Sequence, residues 1–127
     1  MNRNILIVDD DPIFSLIVTK LVTKQDPQAQ FYFSENGQQG LTELEKLKEN
    51  QGEKIVLLDI NMPISNGWDF LDALEQKEWF KRKDICIYIV SSSIDQRDIS
   101  KVARYNYVNR FFHKPLKIND IRTILNC

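Results

Sequence analysis

Cysteine is nearly absent: Cys86 lies inside an apolar run, Cys127 is the last residue, and there is no CxxC spacing. That pattern excludes a zinc or dithiol site of the usual spacings, and both are expected to be plain thiols. No apolar run approaches the ~18 to 20 residues of a membrane helix, and the apolar stretch behind "MNRN" is too short for a signal peptide. The expected address is the cytoplasm, with no membrane contact. Glycine is scarce, four in 127 residues, and the first strand-to-helix turn, "DDDP", has none. A nucleotide phosphate would need glycines and a free helix N-terminus there, and it meets carboxylates instead.

What remains is a chain with 43% hydrophobic and 28% charged residues and a net charge of -1. Its length suits one domain, residues 1–127, able to bury a core without metals or disulfides as staples. The charge is uneven. Residues 1–94 sum to -5 and residues 95–127 to +4, which gives solvated helix faces or a basic docking surface on the last third.

Apolar runs alternate with helical patterns along the whole chain. "NILIV" reads as a buried strand, and Asp11 and Pro12 then supply an N-cap and a first helical residue. Ile13, Leu16, Ile17, Lys20, Leu21 and Lys24 form a mostly apolar stripe on that first helix. "AQFYFSE" is the second strand and "NGQQGLTELEKLKEN" the second helix, with Leu41, Leu44 and Leu47 inward. "KIVLLD" is a third strand, closed by the Met-Pro breaker at Pro63. The third helix is "WDFLDALEQKEWF", followed by the strand "ICIYIV" and the helix "DQRDISKVARYN". "NRFFH" is a short fifth strand, and "INDIRTILN" is a last helix with Asn119 as its N-cap. Such strict alternation predicts a doubly wound α/β fold, a five-stranded parallel sheet with five helices on both faces. Chemistry in such sheets collects beyond the C-terminal strand ends.

The residues at those ends are Asp9 and Asp10, Asp59, Ser91 and Lys114. Singly, each has an ordinary reading as a helix cap, a turn former, a strand-end hydroxyl or a surface amine. Together they do not, because two carboxylates ~4 Å apart repel by ~4 kcal/mol at an effective dielectric of 20. Hard oxygen ligands in such a mouth suit Mg2+ (or Mn2+), with Asp10 and Asp59 as direct ligands. A carboxylate can attack phosphorus to give an aspartyl phosphate, which calls for a metal, a cation and hydrogen-bond donors around the transferred oxygens. Lys114 and Ser91 supply the last two.

"ILIVDDDP", "VLLDINMPISNGWDF", "IVSSS" and "FFHKPL", at their spacing, resemble the response regulator receiver domain of two-component signalling over nearly the whole chain. The resemblance implies the flavodoxin-like strand order 2-1-3-4-5. It also implies Asp59 as phosphoacceptor, Asp10 as direct metal ligand, Asp9 as the acid holding metal-bound water, and Asn61 as the backbone-carbonyl ligand. Ser91 would bond the phosphoryl group and Lys114 would pair with it, next to a cis Lys114–Pro115 bond. Gly67 falls where little but glycine is tolerated. Phe111 matches an aromatic whose rotation accompanies activation, although at its spacing it is equally an ordinary half-buried strand residue, and His113 reads as structural. Two features depart from the pattern. Tyr105, Tyr107 and Val108 make the region before the fifth strand bulkier and more aromatic, and Ser92 and Ser93 leave the phosphoryl lifetime open.

The function expected is a switch rather than an enzyme. It takes a phosphoryl group from a histidine kinase or phosphotransfer protein onto Asp59, then alters the face of helix four, strand five and helix five around Arg97, Lys101, Arg104, Arg110 and Lys117 for a downstream protein. No nucleic-acid-binding segment follows the last helix, so no direct nucleic-acid contact is expected. The alternative is a phosphorylation-independent interaction module on the same fold. A haloacid dehalogenase-like phosphatase would want a second aspartate two residues after the first, where Asn61 stands.

Overall fold

In the computed structural model, residues 3–62, 64–92 and 95–127 are described; Pro63 and Ser93, each given a reading above, lie outside them. The elements alternate as expected: β1 (Arg3–Val8), α1 (Pro12–Gln25), β2 (Gln30–Ser34), α2 (Gly37–Leu47), β3 (Glu53–Leu58), α3 (Gly67–Glu75), β4 (Ile85–Ser91), α4 (Gln96–Val102), β5 (Val108–His113) and α5 (Ile118–Leu125). All four pairings are parallel and the order is β2-β1-β3-β4-β5. The central strands β1, β3 and β4 are buried on both faces, which is why each reads as an unbroken apolar run.

Two cores flank the sheet. Ile5, Ile7, Ile55 and Leu57 pack with Phe14, Val18 and Val22 of α1 and Ile121, Ile124 and Leu125 of α5. On the other face Leu6, Val8, Val56 and Leu58 meet Leu44 and Leu47 of α2 and Phe70, Leu71 and Leu74 of α3. Each such side chain, fully buried, contributes ~1.5 to 3 kcal/mol. At the opposite end from the acids, the buried Lys54 ammonium donates to the Asn50 carbonyl and pairs with Asp84 at 3.0 Å.

Four expectations are corrected. The inward face of α1 carries Phe14, Val18 and Val22, whereas Ile13, Leu16 and Ile17 of the expected stripe are 68%, 56% and 46% exposed. The helix is apolar on more than one side, so spacing alone does not select the buried one. The third helix ends at Glu75, and Trp79 and Phe80 pack from a following turn. The N-cap of α5 is Lys117, whose N–H donates to the Asp120 carboxylate at 2.9 Å, so Asn119 is already helical. Cys86 and Cys127 are not plain thiols but bonded to each other, with Cα atoms 6.5 Å apart, inside the range a disulfide spans. The crossover fold requires α5 to run back against the strands, which returns Cys127 to the end where β4 begins.

Gly67 shows how tightly α3 is set against the sheet. A Cβ there would lie 2.7 Å from the Asp59 carbonyl oxygen and 2.8 Å from Ile60 Cα, both backbone atoms. Gly67→Ala is therefore expected to cost ~1 to 3 kcal/mol by overpacking and to displace Asp59. A urea midpoint equal to that of the wild type would contradict this.

Candidate functional site

The C-terminal ends of β1, β3, β4 and β5 place six of the expected residues together. Ladder-like bonds fix each exit: the Asp9 N–H donates to the Ser34 carbonyl (2.9 Å), that of Asp59 to the Val8 carbonyl (3.0 Å), and that of Lys114 to the Ser91 carbonyl (3.0 Å). The Asp11 carboxylate accepts from the Ile13 N–H at 3.0 Å and caps α1, with Pro12 opening the helix. This turn holds Asp9 buried and leaves Asp10 exposed. One Asp9 oxygen accepts from the Asp11 N–H at 2.9 Å, and one Asp59 oxygen accepts from the Asn61 N–H at 3.0 Å.

The second oxygens face a cation. Lys114 Nζ lies 2.7 Å from Asp9 Oδ2 and 3.5 Å from Asp59 Oδ2, reaching in from a turn built on the cis Lys114–Pro115 bond. Burial pushes the carboxyls of Asp9 and Asp59 above their ordinary range, and Lys114 offsets that only in part. Burial pulls the Lys114 ammonium down, but the hydrogen bonds and charges of Asp9 and Asp59 outweigh it and leave Lys114 above its usual value. Among the described residues the site thus holds more negative charge than the Lys114 ammonium satisfies.

Oxygens of Asp9, Asp10 and Asp59 lie within 4.8 Å of one another. Together with the raised carboxyls, this donor set fits one hard divalent cation that keeps several waters. Ser91, fully buried at the end of β4, receives a hydrogen bond at 3.0 Å from the Asn61 side-chain amide, which ties the β3 loop to the β4 exit.

Phe111 stands apart from this cluster. It pairs with Ile89, two residues before Ser91, on the same sheet face. The ring is half-buried, 6.3 Å from that of His113, and lines a shallow cavity of about 220 Å3 with Ile99, Val102 and His113. A bulge at Asn109, whose side chain accepts from the Ile87 N–H at 3.1 Å, sets the register of this end of β5.

Two sets of contacts went unforeseen. Phe14 faces Lys114, and the signal for it was the second apolar stripe of α1. Tyr105 and Tyr107, expected to make this region bulkier and more aromatic, join Trp68 and Phe80 in a cluster of rings. There the Tyr105 hydroxyl donates to Asp72 at 2.6 Å and Lys101 sits 4.7 Å above the Trp68 ring. Burial and Asp72 push the Tyr105 hydroxyl up to about 12.

Comparison with known proteins converges on this geometry. The family model described as the response regulator receiver domain matches residues 5–126. A two-component response regulator from Cytophaga hutchinsonii is 26% identical, with a TM-score of 0.84 over 98% of this chain and 94% of that one. The Mn2+-bound response regulator Rcp1 is 19% identical, with a TM-score of 0.71 over 97% and 89%. Among curated proteins, the hybrid signal transduction histidine kinase G of Dictyostelium discoideum is 25% identical over 122 residues, 96% of this chain. The chain spans 3% of that kinase and at most 76% of the curated relatives it matches. An acidic pocket with a lysine reaching into it, at the open end of a 2-1-3-4-5 sheet, is what this match covers, and the chain belongs to the response regulator receiver domain family, a phosphoacceptor signalling switch.

Proposed function

We propose that Asp59 is the phosphoacceptor and that residues 1–127 act as one receiver unit. The observation that carries this is the Lys114 ammonium between Asp59 and Asp9 at a site whose acids are raised by burial. In the transfer, an Asp59 oxygen attacks the phosphorus of a phosphohistidine. The P–N bond breaks, its electron pair and a proton end on the imidazole, and an acyl phosphate remains. Lys114 takes the negative charge of the phosphoryl oxygens, and the Ser91 hydroxyl bonds one of them.

Mg2+, or Mn2+ as in Rcp1, would be held by Asp10, Asp59, the Asn61 carbonyl and, through water, Asp9. Such an ion neutralises charge on the transferring group. The phosphodonor is a histidine kinase or phosphotransfer protein in the cytoplasm. Among the described residues no helix is long and apolar enough to cross a membrane.

Output is proposed at α4, β5 and α5, toward a protein and not a nucleic acid. None of the residues of α4 is buried. Val102, the Lys101–Trp68 contact and the adjoining Tyr105 hold it, so it is the segment that moves at least cost. Arg97, Arg104, Arg110 and Lys117 are exposed there, and Lys101 is half-buried. Phosphorylation draws the already buried Ser91 hydroxyl toward the phosphoryl group and biases Phe111 toward burial.

Phosphoramidate, whose P–N bond mimics phosphohistidine, tests the donor chemistry. The expected result is an acid-labile, hydroxylamine-sensitive acyl phosphate at Asp59 with movement of the Phe111 and α4 resonances. Transfer to no residue, with those resonances unmoved, would favour the phosphorylation-independent module.

A further inference from the structure

Lys114 reaches the acids on a flexible four-carbon stem. Its ammonium lies closer to Asp9, at 2.7 Å, than to Asp59, at 3.5 Å. A point charge with three rotatable donors would settle onto Asp9 alone unless something else held it. Another contact is present. The Phe14 ring, in the first turn of α1, has its centroid 4.4 Å from Lys114 Nζ. A cation within ~6 Å of a ring face is attracted by the ring's quadrupole. Phe14 is only 7% exposed and belongs to the core that includes Leu116 and Ile121, so the ring cannot swing away. The N-cap by Asp11 and the opening Pro12 fix the turn that carries it.

We infer that Phe14 is a positioning residue: its ring holds the Lys114 ammonium against the acid pair, within reach of the phosphoryl group on Asp59, and closes that side of the ammonium to water. The inference rests on the proposed role of Lys114. An ordinary core residue would need only apolar volume at this place, which leucine or methionine supplies; a positioning role needs the ring. The two readings part at that substitution.

The test compares wild type, Phe14→Leu, Phe14→Met and Phe14→Tyr by initial rate of phosphoryl uptake from acetyl phosphate at saturating Mg2+, by melting temperature, and by proton NMR of the Lys114 ε-methylene. A ring face at this distance shifts those protons upfield. The inference expects the upfield shift in wild type and Phe14→Tyr and its loss in the leucine and methionine variants. Uptake should fall about 3- to 30-fold in the latter two and be restored to within about threefold of wild type in Phe14→Tyr. An unshifted methylene in wild type overturns the inference whatever the variants do. So does uptake in Phe14→Leu and Phe14→Met within twofold of wild type, or Phe14→Tyr as slow as Phe14→Leu. Wild type that takes up no phosphoryl group defeats the underlying reading instead, and the methylene shift then still decides whether the ring holds the ammonium.

Discussion

Replacing Lys114 with methionine is expected to slow phosphoryl uptake by about 10²-fold or more, the usual cost of removing one preorganised charge-stabilising group. The stem of Lys114 is mostly buried and methionine fills much of its volume, so packing is largely kept. What disappears is, among the described residues, the cation facing Asp9 and Asp59. The two acids then lie buried with no counter-charge in the metal-free protein, and breaking such a pair costs up to ~3 to 5 kcal/mol before the carboxyls relax by taking up protons. Metal-free Lys114→Met should therefore melt below the wild type at neutral pH, and a divalent cation should recover part of the loss. Uptake within threefold of wild type, measured by intact mass against time, would remove Lys114 from the chemistry.

Asp59→Asn is expected to do the opposite to stability. Asparagine can still accept from the Asn61 N–H, and Lys114 keeps its 2.7 Å contact with Asp9. Burial raises the folded-state values of Asp9 and Asp59 above those of the unfolded chain. A carboxyl raised on folding contributes stability that is fully present below its unfolded value, near 3.8, and is lost as pH rises through the folded value. Above the folded values the metal-free wild type has lost that contribution from both acids. The substitution removes one of the charges, and ~1 to 2 kcal/mol of relief corresponds to roughly 3 to 10 °C in melting temperature for a chain of this size. The gap should narrow as pH falls toward the unfolded value. It should also shrink when a divalent cation is added, since an ion that binds only the folded wild type stabilises it by mass action. A metal-free Asp59→Asn protein that melts clearly below the wild type at pH 7 would mean that Asp59 serves as a structural acceptor.

Much of this site was legible because strand ends are legible. Four apolar residues before Asp59, and a similar run before Asp9, identify strands buried on both faces, and the parallel topology then brings their ends together. Ser91 and Lys114 followed by the same rule. The choice of face on α1 was not legible, since Ile13, Leu16 and Ile17 have helical spacing as good as that of Phe14, Val18 and Val22. Only docking against Ile5, Ile7 and Leu57 selects the second set. The Phe14–Lys114 contact depended on that choice and stayed hidden with it. The bond between Cys86 and Cys127 needed the return path of α5, and 41 residues of separation give no local sign of it. The early end of α3 reflects tertiary packing, in which Trp79 and Phe80 find the core from a turn instead of a further helical turn.

Metal-assisted phosphoryl transfer to Asp59 is read out by intact mass after incubation with acetyl phosphate. Four samples are needed: wild type and Asp59→Asn, each with Mg2+ and with a chelator. One added phosphoryl group on wild type with Mg2+ and none in the other three samples is the expected result. An adduct on Asp59→Asn, or no adduct on wild type with Mg2+, would contradict the claim and leave the three acids a metal site without phosphoryl chemistry.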